Sequence, residues 1–105
     1  MRAEQAQMIA NYIQDSPHPV IAMGDFNDTP QSYAYRKIRK GINDAFRNAG
    51  RGFGNTYAGE LPSFRIDYIL YSDELVATKY VRTKLRFSDH FPIKASLKQS
   101  ETDQE

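Results

Sequence analysis

The chain has 105 residues, which supports one domain. Its 14 Lys+Arg against 13 Asp+Glu leave a formal net charge of +1, which argues against holding nucleic acid by bulk charge alone. Zero cysteines exclude a disulfide framework, a zinc ribbon and thiol catalysis, and no apolar run approaches the ~20 residues of a membrane span.

Residues 3–14 read as an amphipathic helix, with Ala6, Ile9, Ala10 and Ile13 at helical spacing. Ser16-Pro17-His18-Pro19 ends it, because proline disfavours helix both at itself and before itself. The apolar run over residues 19–24 then predicts a strand buried on both faces. Thr29 is placed as the N-cap of a second helix, with Pro30 as its first residue. That helix covers residues 30–39 and closes on Gly41 as a left-handed cap. Residues 43–60 are glycine-rich and predict loops, with a helical turn near Asp44-Ala45-Phe46. Residues 65–71 predict a strand with Ile66, Tyr68 and Leu70 on one face and Asp67, Ile69 and Tyr71 on the other. A further strand is expected over residues 75–81. Ile93, Ala95 and Leu97 alternate with Lys94, Ser96 and Lys98 in a last, half-solvated one. The expected architecture is α/β (α+β): a mixed β-sheet layered with helices over residues 1–98, followed by a polar, disordered tail over 99–105.

Three clusters carry chemistry. In Gly24-Asp25-Phe26-Asn27-Asp28, Asp25 and Asn27 follow the most apolar strand. A carboxylate there accepts a proton or holds a cation, and an amide two residues on donates to an anionic oxygen. The plain alternative is a helix-entry loop, which favours Asp and Asn anyway. In Arg65-Ile66-Asp67-Tyr68-Ile69-Leu70, Asp67 interrupts a run of β-formers and needs a partner, either an arginine such as Arg65 or a histidine. In Ser88-Asp89-His90-Phe91-Pro92, His90 is an acid/base candidate or else a packed strand-entry residue. Neighbours on a strand point opposite ways, so Asp67 is a better partner for His90 than Asp89. The other histidine, His18, lies between prolines in a solvated turn.

The ordered set Gly-Asp-Phe-Asn, Arg-Ile-Asp-Tyr-Ile and Ser-Asp-His-Phe-Pro resembles the endonuclease/exonuclease/phosphatase family. That family includes abasic-site endonucleases, DNase-I-like nucleases, inositol polyphosphate 5-phosphatases and sphingomyelinases. The likeness runs over residues 4–97. It implies phosphoester hydrolysis with a divalent cation, magnesium or manganese, on a nucleic acid, phospholipid or phosphoinositide substrate. By motif match, Asp25 resembles the carboxylate that orients or deprotonates the attacking water. Asn27 resembles the amide on the phosphate or a metal-bound oxygen, and His90 the imidazole on the scissile phosphate. Asp67 resembles the carboxylate that orients this histidine, and Asp89 the residue that approaches the metal. The implied catalytic set is therefore Asp25, Asn27, Asp67 and His90, and the implied metal-side set Asp25, Asn27 and Asp89. Whether Asp25 or His90 is the formal base stays open.

The chain departs from the family pattern by absence. The family domain is a two-layer DNase-I-like β-sandwich of two similar halves, and its N-terminal half supplies the metal-ligating Glu. Glu4, Glu60 and Glu74 do not match that residue. The chain is thus expected to be the C-terminal half, inactive alone, with an apolar sheet face that the other half or a second copy covers. Arg36, Lys37, Arg39, Lys40, Arg47 and Arg51, then Lys79, Arg82, Lys84 and Arg86, are read as solvated faces or as phosphate contacts. The loop over residues 50–63, with Arg51, Phe53, Asn55 and Tyr57, is expected to border the site. The rival function is a non-catalytic half-domain that binds nucleic acid or a protein.

Overall fold

The computed structural model describes residues 1–51, 54–57, 65–83 and 89–100. In chain order these form α1 (Ala3–Asp15), β1 (Ile21–Asp25), α2 (Tyr33–Arg39), β2 (Asn43–Asp44), α3 (Ala45–Ala49), β3 (Asp67–Tyr71), β4 (Leu75–Arg82) and β5 (Ile93–Gln99). Two sheets result, one ordered β1-β3-β2 and one made of β4 and β5. Every strand pairing among the described residues is antiparallel.

β3 is the organising element. Its alternation sends Tyr68 and Leu70 into one core with Ala6 of α1 and Ala34, Tyr35 and Ile38 of α2. Ile69 and Tyr71 enter a second core with Ala45, covered by Leu75, Ala77 and Tyr80 of β4 and Ile93, Ala95 and Leu97 of β5. The strand is thus buried on both sides, between a helical layer and a hairpin. The predicted half-solvated character of β5 is observed, with Ile93, Ala95 and Leu97 inward and Lys94, Ser96 and Lys98 exposed.

Four expectations need correction. β1 is not buried on both faces. It edges the three-stranded sheet, and Met23 is 71% exposed and Ile21 50% exposed. The register sets Ile21 against Tyr71 and Met23 against Ile69, so all four share one face. The β4–β5 hairpin covers Ile69 and Tyr71 and stops short of β1.

The second helix starts later than Thr29 and Pro30 predict. Ser32 is its N-cap, accepting from the Tyr35 amide at 3.1 Å. Its end does not use Gly41 as a left-handed cap, because Gly41 is not at positive φ; Lys40 is a right-handed C-cap with φ −55° and the chain continues in turns through Ile42. The stretch after Gly41 is more ordered than a glycine-rich loop, since it holds β2 and α3. Asp44 caps α3 by accepting from the Phe46 amide at 3.0 Å. Phe53, Glu60, Ser63, Lys84, Arg86, Ser88 and the tail over 101–105 lie outside the described residues.

Candidate active site

The site forms where β1 and β3 end side by side. The ladder places Asp25 opposite Asp67. Gly24, just before Asp25, has φ +150°, which L side chains rarely adopt, so its glycine is required by the backbone. Asn27 follows at φ 58°, a left-handed position that asparagine tolerates. Its backbone N–H donates to Asp25 Oδ1 at 2.8 Å, which fixes one oxygen of that carboxylate.

His90 arrives from the segment before β5. Its Nδ1 lies 2.7 Å from Asp67 Oδ2, and its Nε2 lies 3.5 Å from Asp25 Oδ2. The imidazole thus stands between the two carboxylates, with Asp67 its close partner. Its pKa is raised above 6.5, first by the hydrogen bond to Asp67; burial opposes this, and the charges of Asp67, Asp25 and Asp89 add to it. Asp89 is exposed and acts on His90 through charge. Arg65, the alternative partner for Asp67, is engaged elsewhere, 2.7 Å from Asp44 Oδ2. His18 is exposed, as its turn predicts.

One oxygen from Asp25, one from Asp67 and one nitrogen from His90 all lie within 4.8 Å of one another, close enough to share a cation. Asp89 is not in this group. Asn27 lines a separate hollow with Met1, Met8 and Ile9, although Asp25 borders both. The three converging groups open onto a concavity of about 480 Å³ walled by Met23, Ile69, Phe91, Pro92 and Ile93. Polar chemistry therefore sits at the rim of an apolar wall, on the same sheet face as the exposed Met23.

Thr56 is a support that was not legible beforehand, whereas its neighbour Tyr57 is expected at the border of the site. Thr56 is fully buried, and its Oγ1 accepts from the amides of Ile66 and Asp67 at 2.9 and 3.0 Å. Its carbonyl oxygen accepts from the Phe91 amide at 2.6 Å. Tyr57 bridges to His90 in antiparallel fashion, with the two rings edge-on at 5.6 Å. This short segment ties the start of β3 to the histidine. A lone threonine between loop residues carries no signal of such a role. The part of the 50–63 loop that is described therefore does border the site.

No helix among the described residues is long and apolar enough to cross a membrane. No curated protein matches the chain. Solved structures do. A functionally unknown conserved protein from Enterococcus faecalis V583 is 23% identical, with a TM-score of 0.75 over 88% of this chain and 42% of its own. An endonuclease/exonuclease/phosphatase from Bacteroides vulgatus is 26% identical, with a TM-score of 0.75 over 92% of this chain and 43% of its own. A mannosyl-6-phosphatase from Bacteroides thetaiotaomicron VPI-5482 is 22% identical, with a TM-score of 0.69 over 92% and 47%. The chain thus spans less than half the length of each of these structures. The neighbours share the DNase-I-like arrangement of sheets and helices. A family model described as "Endonuclease/Exonuclease/phosphatase family" matches residues 1–90, and with the three motifs meeting as described, the chain belongs to the endonuclease/exonuclease/phosphatase family.

Proposed function

We propose that this chain carries the imidazole and carboxylate part of a divalent-metal-dependent phosphoester hydrolase site. The observation behind this reading is the placement of His90 between Asp67 and Asp25 at the mouth of an apolar concavity. Family membership supports hydrolysis, and one structural neighbour is a phosphatase by name.

In the proposed reaction Asp67 holds Nδ1–H and favours the protonated ring, whose Nε2–H donates to a phosphoryl oxygen as negative charge develops there. Asp25 keeps one oxygen on the Asn27 amide and uses the other to orient the attacking water or accept its proton. The Asn27 side-chain amide donates to a phosphate oxygen, and Asp89 adds negative potential around His90. The carboxylate oxygens gathered here would suit a hard divalent cation such as Mg²⁺ or Mn²⁺, with Asp25, Asn27 and Asp89 as the metal-side residues that the motifs propose and His90 left to the phosphoryl group. When bound, such a cation neutralises charge on the phosphoryl group.

The chain alone is proposed to be inactive or nearly so, because none of its glutamates is assigned to the metal. The face holding Ile21 and Met23 is proposed to seat the remaining half of the domain. The test is reconstitution with the N-terminal half of the Bacteroides vulgatus structure, followed by assay of p-nitrophenyl phosphate and bis-p-nitrophenyl phosphate with Mg²⁺. Activity that Asp25→Asn and His90→Gln each reduce by about 10²-fold or more supports the proposal. A complex that forms and hydrolyses neither ester, or whose activity ignores both substitutions, overturns it.

A further inference from the structure

We propose a second anion site, separate from the hydrolytic one, that takes a phosphate-class ligand carrying two or more negative charges. It is the hollow of about 610 Å³ on the helical side of the molecule, where Arg36, Arg39 and Lys40 of the α2 end, Arg47 of α3 and Arg65 before β3 converge. Its other lining residues are Pro30 and Tyr35, and none of the described residues that line it is acidic. Among the described residues it shares no lining residue with the concavity of Asp25, Asp67 and His90.

The charge balance is what points to a ligand. Arg65 is neutralised by Asp44 at 2.7 Å, and Asp44 is saturated: Tyr35 Oη donates to it at 2.6 Å and the Phe46 amide at 3.0 Å. Among the described residues, Arg36, Arg39, Lys40 and Arg47 form no ion pair. Four uncompensated cations brought together from two helices repel one another and focus positive potential into one recess. An exposed helix face spreads its charges into solvent; here the chain folds back so that α3 adds its arginine to those of α2.

The donors are also partly fixed. Arg39 Nη1 donates to the Ile42 carbonyl oxygen at 2.8 Å, which pins the guanidinium beside the hollow. Its Nε is buried and has no hydrogen-bond partner among the described residues, so the protein does not exhaust this group's donors. Guanidinium forks suit phosphate oxygens through paired charge-assisted bonds, which favours a phosphate over a halide or a lone carboxylate.

The experiment titrates inorganic pyrophosphate, and separately a short single-stranded oligonucleotide, into the whole chain in metal-free buffer. Arginine side-chain N–H resonances and His90 ring resonances are followed by NMR. The expected result is saturable shifts at Arg36, Arg39 and Arg47 with His90 unmoved, weakening steeply with salt. Arg36→Gln/Arg47→Gln changes two exposed residues and is expected to weaken binding about tenfold or more with the fold retained. Pyrophosphate alone binding there identifies a small phosphate ligand. Tighter oligonucleotide binding through the same residues identifies a nucleic-acid strand as the source of the phosphates. Absence of binding by both, binding indifferent to the double substitution, or shifts centred on His90 overturns the proposal.

Discussion

Asp25 and Asp67 oppose each other across the β1–β3 ladder, and His90 bridges them, 2.7 Å from Asp67 and 3.5 Å from Asp25. Like charges directly opposite in a sheet are destabilising, so His90, when protonated between them, has a structural as well as a chemical role. Because the folded-state pKa of His90 lies above 6.5, the imidazolium contributes stability in full below about pH 6.5. That contribution is lost as pH rises through the raised folded value. NMR titration of the metal-free chain is expected to find the His90 pKa above 6.5, and Asp67→Asn to lower it. Stability of the native chain relative to His90→Gln should fall with rising pH across the same window. A His90 pKa at or below 6.5, unmoved by Asp67→Asn, would refute the arrangement.

Thr56 acts on the site through the backbone amides of Asp67 and Phe91. Thr56→Val keeps the shape but strips acceptance from the Ile66 and Asp67 amides, both at the start of β3. Each buried donor left unpaired costs about 1–3 kcal/mol, so a loss of about 2 kcal/mol or more is expected in urea unfolding. A filler of the core would show that loss alone. A residue that positions Asp67 should also bring the His90 pKa down, and Thr56→Ser should restore both. Unchanged His90 titration in a folded Thr56→Val chain would assign Thr56 to stability only.

Arg65 and Asp44 make a buried pair, with side chains 9% and 1% exposed. The guanidinium also lies over the rings of Phe46 at 4.7 Å and Tyr68 at 4.9 Å. Removing one member of such a pair strands a charge, so Arg65→Ala is expected to cost about 3–5 kcal/mol. Arg65→Lys should recover only part of this, because an ammonium neither stacks nor presents a planar fork. Asp44→Asn added to Arg65→Ala should give back stability by removing the unpaired charge. Chemical denaturation of the three variants checks the order, and a double variant less stable than Arg65→Ala would contradict it.

The legible parts of this fold are those whose cause is local. β3 alternates with period two, and both of its faces are filled as the pattern requires. Asp67 was traceable to His90 because aspartate is depleted in strands and needs a partner when half-buried. β1 misled because an apolar run states what a strand is fit to bury and not whether anything covers it. Thr29 and Ser32 are both competent caps, and only packing of Ala34, Tyr35 and Ile38 on β3 selects Ser32. Asp44 and Thr56 were hidden because their partners lie 10 or more residues away for Thr56 and 21 for Arg65. No short-range spacing encodes those distances.

The face of β1 gives the last test. Ile21 and Met23 precede the acidic end of the strand on the same face, and Ile69 beside them lines the concavity. An apolar edge of this kind is rarely left open in a monomer, so the purified chain is expected to self-associate with rising concentration in light scattering. Met23→Lys should shift it toward monomer without unfolding it, because that side chain is 71% exposed and packs in neither core. Reconstitution with the N-terminal half of a family member should compete with self-association if both use this face, since one surface cannot hold two occupants. A chain that stays monomeric at millimolar concentration, or that associates equally well as Met23→Lys, would place the contact elsewhere.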